Sequence, residues 1–141
     1  MIAIKVRGVI VHEWKLFLCK LADWNFFCLP GWTLEPGEIR EQALEREIIE
    51  ELNVQPVIWK LVYINEFVWW ENNQNTSIDF WYSIENATNF LVVDITQASH
   101  GHEHAEVWFY DLADIAGQYK PTSLQTFLAA YLEGKETLGV E

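Results

Sequence analysis

Residues 29–54 read LPGWTLEPGEIREQALEREIIEELNV, and the spacing of charge in this stretch decides the fold. At about 100° per residue from Ala43, an α-helix places Glu47 near ~40°, Glu50 near ~340° and Glu51 near ~80°. The carboxylates then share one face about 100° wide, with Arg46 at its border near ~300°. Leu44, Ile48 and Leu52 fall between ~100° and ~180°, as a separate apolar stripe. Crowded carboxylates oppose the helix, by roughly 0.2–0.5 kcal/mol for each like-charge pair at i,i+3 or i,i+4. A compensating cation is therefore expected, and clustered oxygen donors suit Mg²⁺ or Mn²⁺. A solvated acidic face is the bland reading of the same charges.

The chain has 141 residues, enough for one domain with a real core and too few for two ordinary ones. We expect a single domain over 1–141. Hydrophobic residues make up 50% of it, which opposes disorder. No apolar run reaches the ~18 residues that a membrane helix needs. The N-terminal MIAIKVRGVIVHEW carries Lys5 and Arg7 inside its apolar run and lacks a small-residue cleavage pattern. It reads as a strand, not a signal peptide. Cys19 and Cys28 are too few for a disulfide framework or a zinc site, and read as small apolar residues in a reducing cytoplasm. A net charge of −12 argues against a duplex nucleic-acid partner, which needs a basic face. It would also repel an anionic substrate, unless a bound divalent cation reverses the local electrostatics.

Residues 2–11 suggest a strand, 15–20 a second, and 12–14 the turn between them. Residues 26–29 suggest a short apolar strand that leads into the Pro30-Gly31 loop. The helix runs over 39–52 and Asn53 stops it. Residues 57–67 and 77–84 are β-rich and flank a polar loop at 71–77. Residues 106–110 suggest one more strand. Residues 122–133 show helical spacing, with Thr122 or Ser123 as N-cap and Gly134 as the stop. Strands with a central and a C-terminal helix define a layered α/β domain.

The charged positions of residues 29–54 resemble the Nudix hydrolase signature, G-x5-E-x7-R-E-U-x-E-E-x-G-U, with U a bulky aliphatic residue. Glu38 takes the first acidic position. Arg46, Glu47, Ile48, Glu50, Glu51 and Val54 follow at the required spacing. Leu29-Pro30-Gly31 and Glu35-Pro36-Gly37-Glu38 look like the elements that often lead into this box. Two signature glycines are replaced, the first by Trp32 and the second by Asn53. Asn is the next-best residue for a left-handed C-cap, so the second change is mild. Trp32 puts a large indole beside the metal-binding loop. The resemblance implies an α/β/α sandwich with a mixed β-sheet, with the signature as loop, helix and loop.

It also implies a divalent-metal-dependent pyrophosphohydrolase. Such an enzyme cleaves a nucleoside diphosphate linked to another moiety, by water attack at phosphorus. Glu47, Glu50 and Glu51 match its metal ligands, and the carbonyl of Gly31 matches a further metal contact. One of these glutamates, or a glutamate outside the box, acts as general base. Arg46 and Glu38 match a pair that orients the ligands. The family often adds a carboxylate before the last strand, where Glu103 is preferred to Glu106. His100, His102 and His104 surround it, and imidazole suits transition metals. A polar surface loop is the alternative for these histidines.

Eight tryptophans are many for this length. Trp24, Trp32, Trp69 and Trp70 fall in or near expected loops or strand ends, where an indole can stack on a base. Trp32 is the candidate substrate-binding residue, and core or interface packing explains the others. The sequence leaves nucleoside triphosphates, nucleotide sugars or a non-nucleotide diphosphate as substrates. By family analogy the chain is a possible homodimer. The alternative reading is a Nudix-fold nucleotide-binding or regulatory module without turnover, motivated by Trp32. An acidic interaction domain without metal is more remote.

Overall fold

The computed structural model describes residues 2–68 and 75–134. Trp69, Trp70 and most of the polar loop lie outside the described residues. Among the described residues are six strands and two α-helices: β1 (Ile2–Val9), β2 (Val11–His12), β3 (Lys15–Leu21), α1 (Arg40–Leu52), β4 (Ile58–Val68), β5 (Thr76–Ile84), β6 (His104–Tyr110) and α2 (Leu124–Leu132). They make two three-stranded sheets, ordered β1-β5-β4 and β2-β3-β6. The first is mixed, because β1 runs parallel to β5 and β4 antiparallel to it.

The expected first strand divides. Ile10 separates β1 from β2, and the chain passes there from one sheet to the other. The turn is tighter than expected, since His12 already pairs with Lys15. Glu13 and Trp14 both take positive φ, 49° and 52°. A two-residue hairpin loop needs this to match the twist of its strands.

Residues 26–29 do not form a strand. Isolated bridges join Cys28 to Cys19 and Phe27 to Tyr119. The chain then runs along the free edge of β1: Val6 N–H donates to Trp32 O and Gly8 N–H to Pro30 O, both at 2.9 Å. Segment 27–34 thus ties the two sheets together and sets where α1 begins.

Alternation along β3 separates two cores. Leu16 and Leu18 pack with Trp81, Leu124 and Phe127 on the α2 side. Phe17 and Cys19 pack with Leu44, Ile48, Leu52 and Phe90 on the α1 side. The result is helix, sheet and helix in layers. Leu44, Ile48 and Leu52 are fully or almost fully buried. Each contributes about 1.5–3 kcal/mol, which outweighs the ~0.2–0.5 kcal/mol of each carboxylate repulsion. At the start of α1, Ile39 N–H donates to Gln42 Oε1 at 3.2 Å. Asn53 ends α1 in the left-handed conformation, φ 55° and ψ 38°, with its N–H on Ile49 O. Among the described residues no helix is long and apolar enough to cross a membrane.

Candidate active site

The acidic face of α1 forms one wall of a cleft of about 550 Å³. The other walls come from the 30–32 loop, the end of β3 and the segment 100–104. Glu47 and Glu51 are buried and Glu50 is half-buried, so this is not a solvated helix face. Burial of the face follows from the apolar stripe beside it, which fixes the rotation of α1 against the sheets.

Arg46 compensates part of the charge. Its guanidinium donates to Glu38 through Nε at 2.7 Å and Nη2 at 3.0 Å. Nη1 reaches Glu47 at 3.1 Å and Glu50 at 2.9 Å. A planar five-donor guanidinium suits this work, whereas an ammonium is a point charge. The hydrogen bonds from Arg46 hold the Glu38 carboxyl below its ordinary range. Arg46 itself is held charged, first through its hydrogen bond to Glu38.

One arginine cannot neutralise the whole cluster. Glu47 is pushed up to about 8, first by burial and then by the Glu51 carboxylate, one turn further along α1. Glu51 Oε1 is buried without a hydrogen-bond partner. The nearest buried cation, Arg7, is engaged by Asp79 and meets Glu51 only through space, and oxygen donors of this type fit a hard divalent cation. In the conformation described, no group of three or more His, Cys, Asp or Glu side chains among the described residues is assembled around a single metal position. Arg46 engages Glu47 and Glu50, and His100 Nδ1 lies 2.8 Å from Glu50 Oε2.

Gly31 lies at the cleft with φ 121°. A Cβ there would stand 2.0 Å from Val6 O, so only glycine fits. Its carbonyl accepts from Arg7 Nη1 at 3.0 Å, as does that of Leu29. Arg7 is buried in β1 and also donates to Asp79 Oδ2 at 3.4 Å; Asp79 Oδ1 accepts from Ser77 Oγ. Trp32 lines the cleft half-buried, with Lys5 Nζ 4.3 Å and Arg7 Cζ 5.2 Å from its ring centroid. Lys5 is pushed down to about 8 by burial and by Arg7. Trp24 packs against Trp32 with centroids 5.4 Å apart and stacks on Phe26.

The segment before β6 reaches the site. The backbone N–H of His100 donates to Glu50 O at 2.7 Å, which docks this segment on the end of α1. Strand β6 begins at His104, two residues before the expected start, so Glu106 lies within the strand. Glu106 interacts with Tyr110 and raises its pKa, after burial. Glu103 is exposed and lines the cleft. His104 is buried, with Nε2 2.6 Å from Glu51 Oε2.

The cleft therefore brings together Gly31, Trp32, Arg46, Glu47, Glu50, Glu51 and Glu103, with Glu38 tied in through Arg46. Lys5 and Arg7 were not singled out as site residues from sequence. Charges at i,i+2 in an apolar strand were the available signal for them, because buried charges need partners.

The NUDIX domain profile matches residues 4–131, and the chain belongs to that family. It is a hydrolase acting on phosphorus-containing acid anhydrides. Its fold is similar to that of a NUDIX hydrolase from Nitrosomonas europaea, with a TM-score of 0.76 and 19% identity over 96% of this chain and 92% of the other. A MutT NUDIX hydrolase from Burkholderia pseudomallei gives 0.72 and 17% over 92% and 97%. The E. coli dihydroneopterin triphosphate pyrophosphohydrolase gives 0.67 and 17% over 94% and 95%. No curated protein matches the chain.

Proposed function

We propose that this protein is a divalent-metal-dependent pyrophosphohydrolase of a nucleoside diphosphate linked to another moiety, such as a nucleoside triphosphate or a nucleotide sugar. The observation that carries this reading is the buried pair Glu47 and Glu51, with Glu50 beside it and too little positive charge to balance the three. Glu47, Glu50 and Glu51 would hold Mg²⁺ or Mn²⁺, with Glu103 as an added carboxylate. The Gly31 carbonyl has a second lone pair besides the one bonded to Arg7, and it is a further donor. When bound, the cation neutralises phosphate oxygens and lowers the pKa of attacking water.

The chain's own groups do the positioning. Glu38 and Arg46 hold the rotamers of Glu47 and Glu50 through the bidentate contact. Arg7 fixes the Gly31 carbonyl, and Trp32 forms the cleft wall that a base or other flat leaving group would meet. The general base is one of the glutamates at the cleft. The cleft is still about 550 Å³ with Trp32 in its wall, a size suited to a small ligand, so the indole does not fill it. We place the protein in the cytoplasm, as a possible homodimer.

The test is phosphate and pyrophosphate release with Mg²⁺ or Mn²⁺ across nucleoside triphosphates, nucleotide sugars, ADP-ribose and dinucleoside polyphosphates. Turnover on one class that disappears in Glu51→Gln is the expected result. Full activity in both Glu50→Gln and Glu51→Gln would refute the assignment of the site.

A further inference from the structure

We propose that His104 is a nitrogen ligand in the metal site, joined to Glu51, and that it moves the preference of that site from Mg²⁺ toward Mn²⁺ and later transition metals. The proposal rests on the metal-dependent reading above, but a different measurement decides it.

Four observations carry it. His104 is only 7% exposed. Its Nε2 stands 2.6 Å from Glu51 Oε2, yet neither ring nitrogen makes an aligned hydrogen bond. Glu51, 6% exposed, has its other oxygen without any partner. A buried imidazole and a buried carboxylate that only satisfied one another would align N–H with oxygen, because an unmade buried bond costs about 1–3 kcal/mol. Here a nitrogen and an oxygen approach one another with no aligned N–H between them, and a shared cation would take up a lone pair from each. Finally, the backbone that carries the imidazole is fixed in place. Leu21 pairs with His104 at the first position of β6, and Glu103 O accepts the N–H of Ala22 at 3.0 Å. Gly101 just before it packs so tightly that a Cβ would stand 1.8 Å from Ile95 O.

The other two histidines of the 100–104 segment lack these features. His100 is half exposed and lies by Glu50, and His102 is exposed. Glu47, one turn before Glu51, is the next donor along the helix. The chemistry then follows from ligand type. Carboxylates alone suit Mg²⁺, whereas imidazole adds affinity for transition metals and little for Mg²⁺. The ligating ring must be neutral, so bound metal displaces a proton from any charged imidazole.

Pulsed electron paramagnetic resonance on the Mn²⁺-loaded, full-length protein tests this. A directly coordinated ¹⁴N should appear, and it should convert to ¹⁵N in protein labelled only at histidine. It should vanish in His104→Gln and persist in His100→Gln. By titration calorimetry, His104→Gln should weaken Mn²⁺ about tenfold or more and leave Mg²⁺ nearly unchanged. Bound Mn²⁺ with oxygen-only coordination in the wild type would overturn the nitrogen ligand and leave the hydrolase reading intact. Histidine nitrogen lost in His100→Gln instead would also overturn it. Absence of any Mn²⁺ binding would overturn both.

Discussion

Glu47 is 9% exposed and one turn from Glu51, and its carboxyl is pushed up to about 8, first by burial and then by that neighbour. Between the ordinary value of 4.5 and about 8, the folded state keeps a proton on Glu47 that the unfolded chain has lost. Folded protein then binds more protons, so stability falls as pH rises through this window. Without solvent screening the full window would correspond to roughly 5 kcal/mol at about 1.36 kcal/mol per pH unit, and screening in the open cleft leaves about half of that. Glu47→Gln removes the charge but leaves a buried amide, which costs about 1–3 kcal/mol. The cation-free variant should therefore gain about 2–3 kcal/mol on wild type between pH 4.5 and pH 9. For a chain of this length that is a rise in Tm of roughly 4–12 °C. At pH 4.5 or below the advantage should vanish or reverse, because wild-type Glu47 is then neutral as well.

Divalent metal should invert the order. A cation at 100 times its Kd stabilises the protein by about 2.7 kcal/mol, and the variant should lose most of that shift. Thermal melts at pH 4.5, 7 and 9, in chelator and in excess Mn²⁺, read all of these quantities. An equal Tm difference between variant and wild type at pH 4.5 and 9 would show that Glu47 ionisation does not load the fold. An undiminished Mn²⁺ shift in the variant would show that Glu47 does not face the cation.

Gly31→Ala forces a Cβ against Val6 O and a strained φ, and should destabilise by at least about 3 kcal/mol in urea unfolding, with loss of turnover. Arg46→Lys cannot keep two bonds to Glu38 while reaching Glu47 and Glu50, so kcat should fall about tenfold or more with the circular dichroism spectrum unchanged. Asn53→Ala should cost about 1 kcal/mol in urea unfolding and Asn53→Gly should be neutral or slightly stabilising, because residue 53 sits at φ 55°.

The helix α1 and its C-terminal stop were legible because they are local. Angles of about 100° per residue separate Leu44, Ile48 and Leu52 from Glu47, Glu50 and Glu51 whatever the rest of the chain does. Asn53 likewise signals its own φ. The spacing of Glu38 and Arg46 was informative for a similar reason, since eight residues of loop and helix bring them to 2.7 Å. What was hidden depends on distant partners. Lys5 and Arg7 read as charges in a strand. Their burial follows from Asp79, 72 residues beyond Arg7, and from the indole of Trp32. The end of β1 at Val9 was hidden because both sheets draw on one continuous apolar run. The start of β6 was missed because His104 looks polar, yet it pairs with Leu21 and points into the acidic face.

The departure from the signature at Trp32 is measured against the glycine retained beside it. Position 31 needs glycine on two counts, a φ of 121° and a Cβ that would stand 2.0 Å from a backbone oxygen, and glycine is kept there. Position 32 has no such need. Trp32 is not among the residues with positive φ, and its carbonyl makes the 2.9 Å bond to Val6 N–H that any residue could make. The cost of a side chain here is space alone, and the fold supplies that space along Lys5, Arg7 and Trp24. Cation–π contact of this kind contributes about 0.5–2 kcal/mol, and more where it is shielded from water. The indole therefore lies along the wall of the cleft and leaves the acidic face of α1 open to it. On the function proposed above, Trp32 would bound what the site accepts from the cleft wall, apart from the carboxylates of α1.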